Sequence, residues 1–150
     1  MKKPINEMIV KLKADSVNER FARAMVASFC VQAEPTLDEI TDIKTAVSEA
    51  VTNAVVHAYP KKEGWIEIIA KLYENKVEII VSDAGIGIKD IEKAIEPFYT
   101  TKQGEERSGM GFTVMESFMD KMEVMTNSYG GISVKLVKNF SRHKPMIVGE

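Results

Sequence analysis

Ser48-Glu49-Ala50-Val51-Thr52-Asn53-Ala54-Val55-Val56-His57-Ala58-Tyr59 is the stretch that decides the fold of this chain. It reads as helix, with Glu49 and Asn53 one turn apart, so a carboxylate and a carboxamide share one face. That face would otherwise serve as a core stripe. Burying an uncompensated glutamate there costs several kcal/mol, so the pair points to a cavity that holds a cation or a ligand.

Upstream, Thr36 offers an N-cap with Glu39 three residues on, a capping box that starts this helix. Ile40, Ile43, Val47, Ala50, Val51 and Ala54 supply its apolar side, and it should stop near Tyr59-Pro60. Glu34-Pro35 separates it from an earlier helix, which starts at Ser16 or Asn18 and runs to about Gln32. Phe21, Met25 and Phe29 recur there on one face. Before it, Met8 to Lys13 alternates apolar and charged residues, as a half-buried strand does.

Downstream of a turn at Lys61 to Gly64, Trp65 to Tyr73 and Lys76 to Ser82 read as strands joined in a hairpin at Glu74-Asn75. Asp83 to Gly87 is a tight loop and Lys89 to Ile95 a short helix. Glu96 to Ser108 has little periodicity and reads as a mobile loop. Gly109 to Met119 returns to helix. Lys121 to Thr126 and Ile132 to Lys138 form a last hairpin around Tyr129-Gly130-Gly131. The predicted architecture is an α+β two-layer sandwich: a mixed, largely antiparallel sheet with helices on one face.

At 150 residues the chain is read as one domain, with residues 139–150 as a loosely held polar tail. A net charge of −2 argues against nucleic acid as the main partner. The lone Cys30 excludes an internal disulfide and sits in an apolar helical stretch, so it reads as a buried small hydrophobe. Lys2-Lys3 leads into polar residues, and no apolar run reaches membrane-span length. The expected location is the cytoplasm, without membrane contact.

Chemistry concentrates at three places. Asn53 is a neutral oxygen donor, sufficient for a Mg²⁺ already held by triphosphate oxygens. Glu49 would then reach the group that attacks the γ-phosphate and accept its proton. Alone, such a pair is more often two solvent-facing helix residues. Asp83 ends a buried strand and can accept from an exocyclic amine such as that of adenine. Gly85 and Gly87 let the backbone approach a flat base, although D-x-G-x-G alone also reads as an ordinary acidic turn. Gly109-Met110-Gly111 opens a helix whose N–H groups and dipole favour phosphate. Lys102 and Arg107 could fold over that phosphate, or simply be solvated. His57 reads as a satisfied helical histidine. Taken in order, the three signals suggest a nucleotide site.

On these residues the chain resembles the family of gyrase B, the Hsp90-type chaperones, the histidine kinases and the mismatch-repair ATPases. Glu49 and Asn53 match its N box, Asp83, Gly85 and Gly87 its first glycine box, and Gly109 and Gly111 its second. The resemblance implies the family's left-handed β-α-β ATP-binding sandwich (the Bergerat type). It also implies that Asn53 holds Mg²⁺, that Glu49 is the base and that Asp83 reads the adenine amine. Ser48 to Ala54, Phe98-Tyr99-Thr100-Thr101-Lys102 and Glu106-Arg107-Ser108-Gly109-Met110-Gly111-Phe112 are similar, more narrowly, to the anti-sigma F factor family of spore-forming bacteria. That match implies that Thr100, Thr101, Lys102, Arg107, Ser108, Gly109, Met110 and Gly111 contribute to ATP binding. It further implies a homodimeric protein serine kinase. Such a kinase binds a sigma factor of RNA polymerase and phosphorylates a serine of an anti-anti-sigma protein. Arg20 and Arg23 on the first helix are the candidate contacts for sigma and dimer.

Three positions depart from the family pattern: Ala58 stands for a glycine, Ala84 for an acidic residue and Ile132 for a threonine that helps hold the base. Ile132 has no side-chain hydrogen bond to give, and Ser133 should point to the opposite face. Two other readings remain. One is a nucleotide-gated binding module without kinase activity, in which ATP orders the 97–108 loop. The other is the related stress-response anti-sigma kinase.

Overall fold

The computed structural model describes residues 3–59, 63–96 and 111–141. Among these residues the order is β1 Asn6–Lys13, α1 Val17–Cys30, α2 Leu37–Asn53, β2 Trp65–Leu72, β3 Lys76–Asp83, α3 Ile91–Ile95, α4 Gly111–Phe118, β4 Lys121–Thr126 and β5 Ile132–Asn139. The sheet order is β1-β2-β3-β5-β4, and each pairing is antiparallel. The expected mixed sheet is therefore antiparallel throughout its hydrogen-bonded pairs. β3 and β4 run the same way, but β5 lies between them.

Strict alternation explains the layering. Ile66, Ile68, Ala70 and Leu72 of β2 face the helices, as do Val77, Ile79 and Val81 of β3. Ile132, Val134 and Leu136 of β5 join them. Against this surface lie Ile43, Ala46, Val47, Ala50 and Val51 of α2 and Met115 of α4. α2 packs against both α1 and α4, so it occupies the middle of the helical layer. The capping box at its start is complete: Thr36 Oγ1 accepts from Glu39 N–H at 3.1 Å, and Glu39 Oε1 accepts from Thr36 N–H at 2.8 Å.

Several local expectations change. α1 buries Ala22, Val26 and Cys30, one residue on from the Phe21, Met25 and Phe29 stripe. Met25 and Phe29 are only partly buried and Phe21 is 53% exposed, while α1 packs chiefly on α2. Ser16 makes no capping bond. Asp15 opens the helix instead, its Oδ1 accepting from Val17 N–H at 3.0 Å. The helix ends at Cys30 and tightens into a 3₁₀ turn, Val31–Ala33, closed by Glu34 at φ 52°. Burial pushes the Cys30 thiol up to about 12, which suits a core residue.

The first residues of the expected tail are held in place. Asn139 still belongs to β5, Phe140 is buried, and Ser141 N–H donates to Glu39 Oε2 at 2.8 Å. Residues 142–150 and the 97–108 loop lie outside the described residues. No helix among the described residues is long and apolar enough to cross a membrane.

Candidate functional site

α2 carries Glu49 and Asn53 on adjacent turns, both half-buried. Directly after Asn53 the helix widens into a π turn, Ala54–Ala58. Such a turn shifts the helix face by an extra residue and often marks a functional segment. It turns Ala58 and Tyr59 toward the loop that follows β3. Beside Glu49, the Ser48 hydroxyl is buried with no hydrogen-bond partner among the described residues.

Asp83 closes β3 and is held by its surroundings. Its Oδ1 accepts from Gly85 N–H at 3.0 Å and from Ile132 N–H at 3.2 Å. Burial raises the Asp83 carboxyl above its ordinary value, and the two N–H donors only partly oppose this. No donor among the described residues reaches Oδ2, which remains the acceptor to offer. The residue at 132 thus serves the site through its backbone N–H, while its side chain lies in the core. Ser133 points to the opposite face, where its hydroxyl meets that of Ser82 at 2.7 Å.

The turn before β5 forms the floor beneath Asp83. Asn127 Nδ2 donates to the Asp83 carbonyl at 2.8 Å, and Asn127 Oδ1 accepts from Tyr129 N–H at 3.0 Å and Gly131 N–H at 3.1 Å. A side chain at Gly131 would collide with the Asp83 carbonyl and carboxylate, so the close approach requires glycine. Gly87, at φ 76°, likewise has Gly130 against it. Asn127 is a part of the site that the sequence reading missed. Its only signal was an Asx residue opening a glycine turn.

The same loop is fixed from the helix side. Ile86 N–H donates to the Ala58 carbonyl at 3.0 Å, and a side chain at Gly85 would collide with Ala58. Alanine at 58 is tolerated because residue 85 has no side chain. Tyr59 Oη accepts from Ala84 N–H at 2.7 Å and donates to the Trp65 carbonyl at 2.8 Å. The π turn that follows Glu49 and Asn53 is thereby tied directly to the loop bearing Asp83, Gly85 and Gly87.

Gly111 opens α4 and is buried, with α4 packed on α2. Thr100, Thr101, Lys102, Arg107, Ser108, Gly109 and Met110 lie outside the described residues. Arg20 is exposed, while Arg23 is half-buried and pairs with Glu19 at 3.4 Å. Beside them on α1, Val17 and Phe21 are exposed. Among the described residues no three His, Cys, Asp or Glu side chains cluster as a metal site. A Mg²⁺ carried by triphosphate does not need such a cluster, and one carboxamide oxygen beside a carboxylate fits it.

The model of the histidine kinase-like ATPase domain matches residues 12–138. The anti-sigma F factor of Caldanaerobacter subterraneus subsp. tengcongensis is 51% identical over 139 residues, covering 93% of this chain and 97% of that one. The anti-sigma F factor of Clostridium acetobutylicum is 52% identical over 136 residues, covering 91% and 95%. Among solved structures, the RsbU and RsbW domains of a Mycobacterium tuberculosis protein align with a TM-score of 0.65 at 22% identity, covering 91% of this chain and 32% of that one. The catalytic domain of the histidine kinase ThkA aligns with a TM-score of 0.55 at 19% identity, covering 89% and 98%. These structural likenesses establish the fold.

Proposed function

Because the chain belongs to the anti-sigma F factors, within the histidine kinase-like ATPase domains, we propose a paired activity: it sequesters a sporulation sigma factor of RNA polymerase and, with ATP, phosphorylates a serine of an anti-anti-sigma protein. The observation that carries the reading is Asp83, held through Oδ1 with no donor among the described residues on Oδ2, in a loop tied to the π turn that follows Glu49 and Asn53. A carboxylate so held matches the amine of adenine and rejects a carbonyl in its place.

In this reading Asn53 would hold Mg²⁺ through its carboxamide oxygen, and the ion would offset phosphate charge. Glu49 accepts the proton of the partner serine as its oxygen bonds to the γ-phosphorus and the bond to ADP breaks. By the family match, Thr100, Thr101, Lys102, Arg107, Ser108, Gly109, Met110 and Gly111 would contribute to phosphate binding, their residue types supplying cationic groups and N–H donors matched to that charge. Sigma and a second copy of the chain meet α1 at Arg20 and Arg23. The exposed Val17 and Phe21 give that face apolar area to bury.

The test mixes the protein with γ-labelled ATP, Mg²⁺ and a candidate anti-anti-sigma protein. Label should appear on a partner serine and be lost in Glu49→Gln and Asn53→Ala. Clear ATP binding with no label in the wild type would replace the kinase by a nucleotide-gated binding module. Arg20→Ala and Arg23→Ala should weaken sigma binding or dimerisation. If both stay unchanged, the α1 assignment is wrong.

A further inference from the structure

Tyr59 does something that neither the N box nor the glycine boxes account for. It stands at the exit of the π turn, between the helix that bears Glu49 and Asn53 and the loop that bears Asp83, Gly85 and Gly87. Its ring lies over Gly64, where any side chain would strike it. Just past the last β2–β3 pair, Ile66 with Asp83, its hydroxyl links the Ala84 N–H, at 2.7 Å, to the carbonyl of Trp65 at the start of β2, at 2.8 Å. Ala84 is the residue immediately after Asp83. The neighbouring bond from Ile86 N–H to the Ala58 carbonyl fixes the far side of the same loop.

From this bridge we infer that Tyr59 is a positioning residue for the nucleobase, setting the place of the Asp83 loop relative to the phosphate-handling helix. The inference rests on the proposed ATP site and adds to it how base recognition is aligned. The β3 ladder fixes Asp83 up to its backbone. Beyond that point Asp83 relies on Gly85 N–H, Ile132 N–H and the Tyr59 hydroxyl that pins Ala84. A hydroxyl that both donates and accepts suits this role, because it satisfies two backbone groups of opposite kind at once. Phenylalanine keeps the ring over Gly64 and loses both bonds. Glu49 and Asn53 precede the π turn and keep their helix, so the effect should fall on the base and not on the transfer step.

The experiment measures the equilibrium affinity of the full chain for Mg·ATP and Mg·GTP by calorimetry, in wild type, Tyr59→Phe and Ala84→Pro. Ala84→Pro removes the same N–H from the other partner. The expected result is a roughly tenfold weaker ATP affinity in each variant. The ATP-over-GTP ratio should fall as well, and the double variant should be little worse than either single one. A merely structural role would lower the melting temperature and the active fraction while leaving the ratio at the wild-type value, and that outcome overturns the inference. Should Tyr59→Phe not fold, Ala84→Pro decides the matter by the same ratio. If the wild type itself binds no ATP, the proposed site fails, and the inference fails with it.

Discussion

Replacing Asp83 by asparagine tests the site most sharply, because the two residues have the same shape and differ in one atom. Oδ1 keeps its two donors, Gly85 N–H and Ile132 N–H, at 3.0 and 3.2 Å. Oδ2, which no donor among the described residues reaches, becomes an NH₂ group, turning an acceptor into a donor. Facing the amine of adenine, the variant loses a hydrogen bond to a charged acceptor and gains an opposed pair of donors. Together these should cost about 3 kcal/mol, roughly a hundredfold in Kd. The fold should respond the other way. The Asp83 carboxyl is raised in the folded state by burial, so its contribution to stability is fully present below the unfolded pKa and lost as pH rises through the folded one. At neutral pH the ionised group is a net burden, and asparagine removes it. Calorimetric ATP titration and thermal melts of the unliganded protein read both effects. The variant should melt no lower than wild type near neutral pH while binding ATP far more weakly, and its preference should shift toward GTP, whose carbonyl can accept from NH₂. ATP affinity within about twofold of wild type would refute the assigned role of Oδ2. A lowered melting temperature would refute the electrostatic argument.

Gly131→Ala should weaken ATP binding and lower stability by about 2 kcal/mol, since its side chain meets the Asp83 carbonyl and carboxylate; titration and melting check both. Glu39 shows the opposite pH behaviour to Asp83. Burial would raise its carboxyl, but N–H donors from Thr36 and Ser141 outweigh that and hold it below its ordinary value. Its contribution is present above about pH 4.3 and lost as pH falls through the lower folded value, so Glu39→Gln should destabilise at neutral pH and converge with wild type in acid, as melts across pH will show. Ser48→Ala should raise the melting temperature, corresponding to about 1 kcal/mol, because it deletes a buried hydroxyl with no partner among the described residues; an unchanged or lower value counts against that account.

Short-range signals carried much of this protein in its sequence. The capping box at Thr36 and Glu39 fixes the start of α2 through bonds between residues three apart. Alternation in β2 and β3 fixes which side chains face the helices, because a strand has a period of two whatever its neighbours. The i, i+4 spacing alone places Glu49 and Asn53 on one face. Where the sequence reading went astray, distant neighbours decided the outcome. On α1 the aromatic stripe gave way to Ala22, Val26 and Cys30, since the way α1 docks on α2 and the core, and not side-chain size, selects what is buried. Phe140 and Ser141 are tied down by the core and by Glu39, a residue far away in the chain. The Asp83 cradle draws Gly85 from its own loop, but Ile132, Asn127 and Gly131 from much later in the chain. Only the antiparallel pairing of β3 with β5 brings them within hydrogen-bond range. The sequence by itself thus determined the elements and the residue types able to bind a nucleotide. The tertiary structure alone decided which oxygen of Asp83 is occupied and which is left to accept, because that depends on donors many residues away.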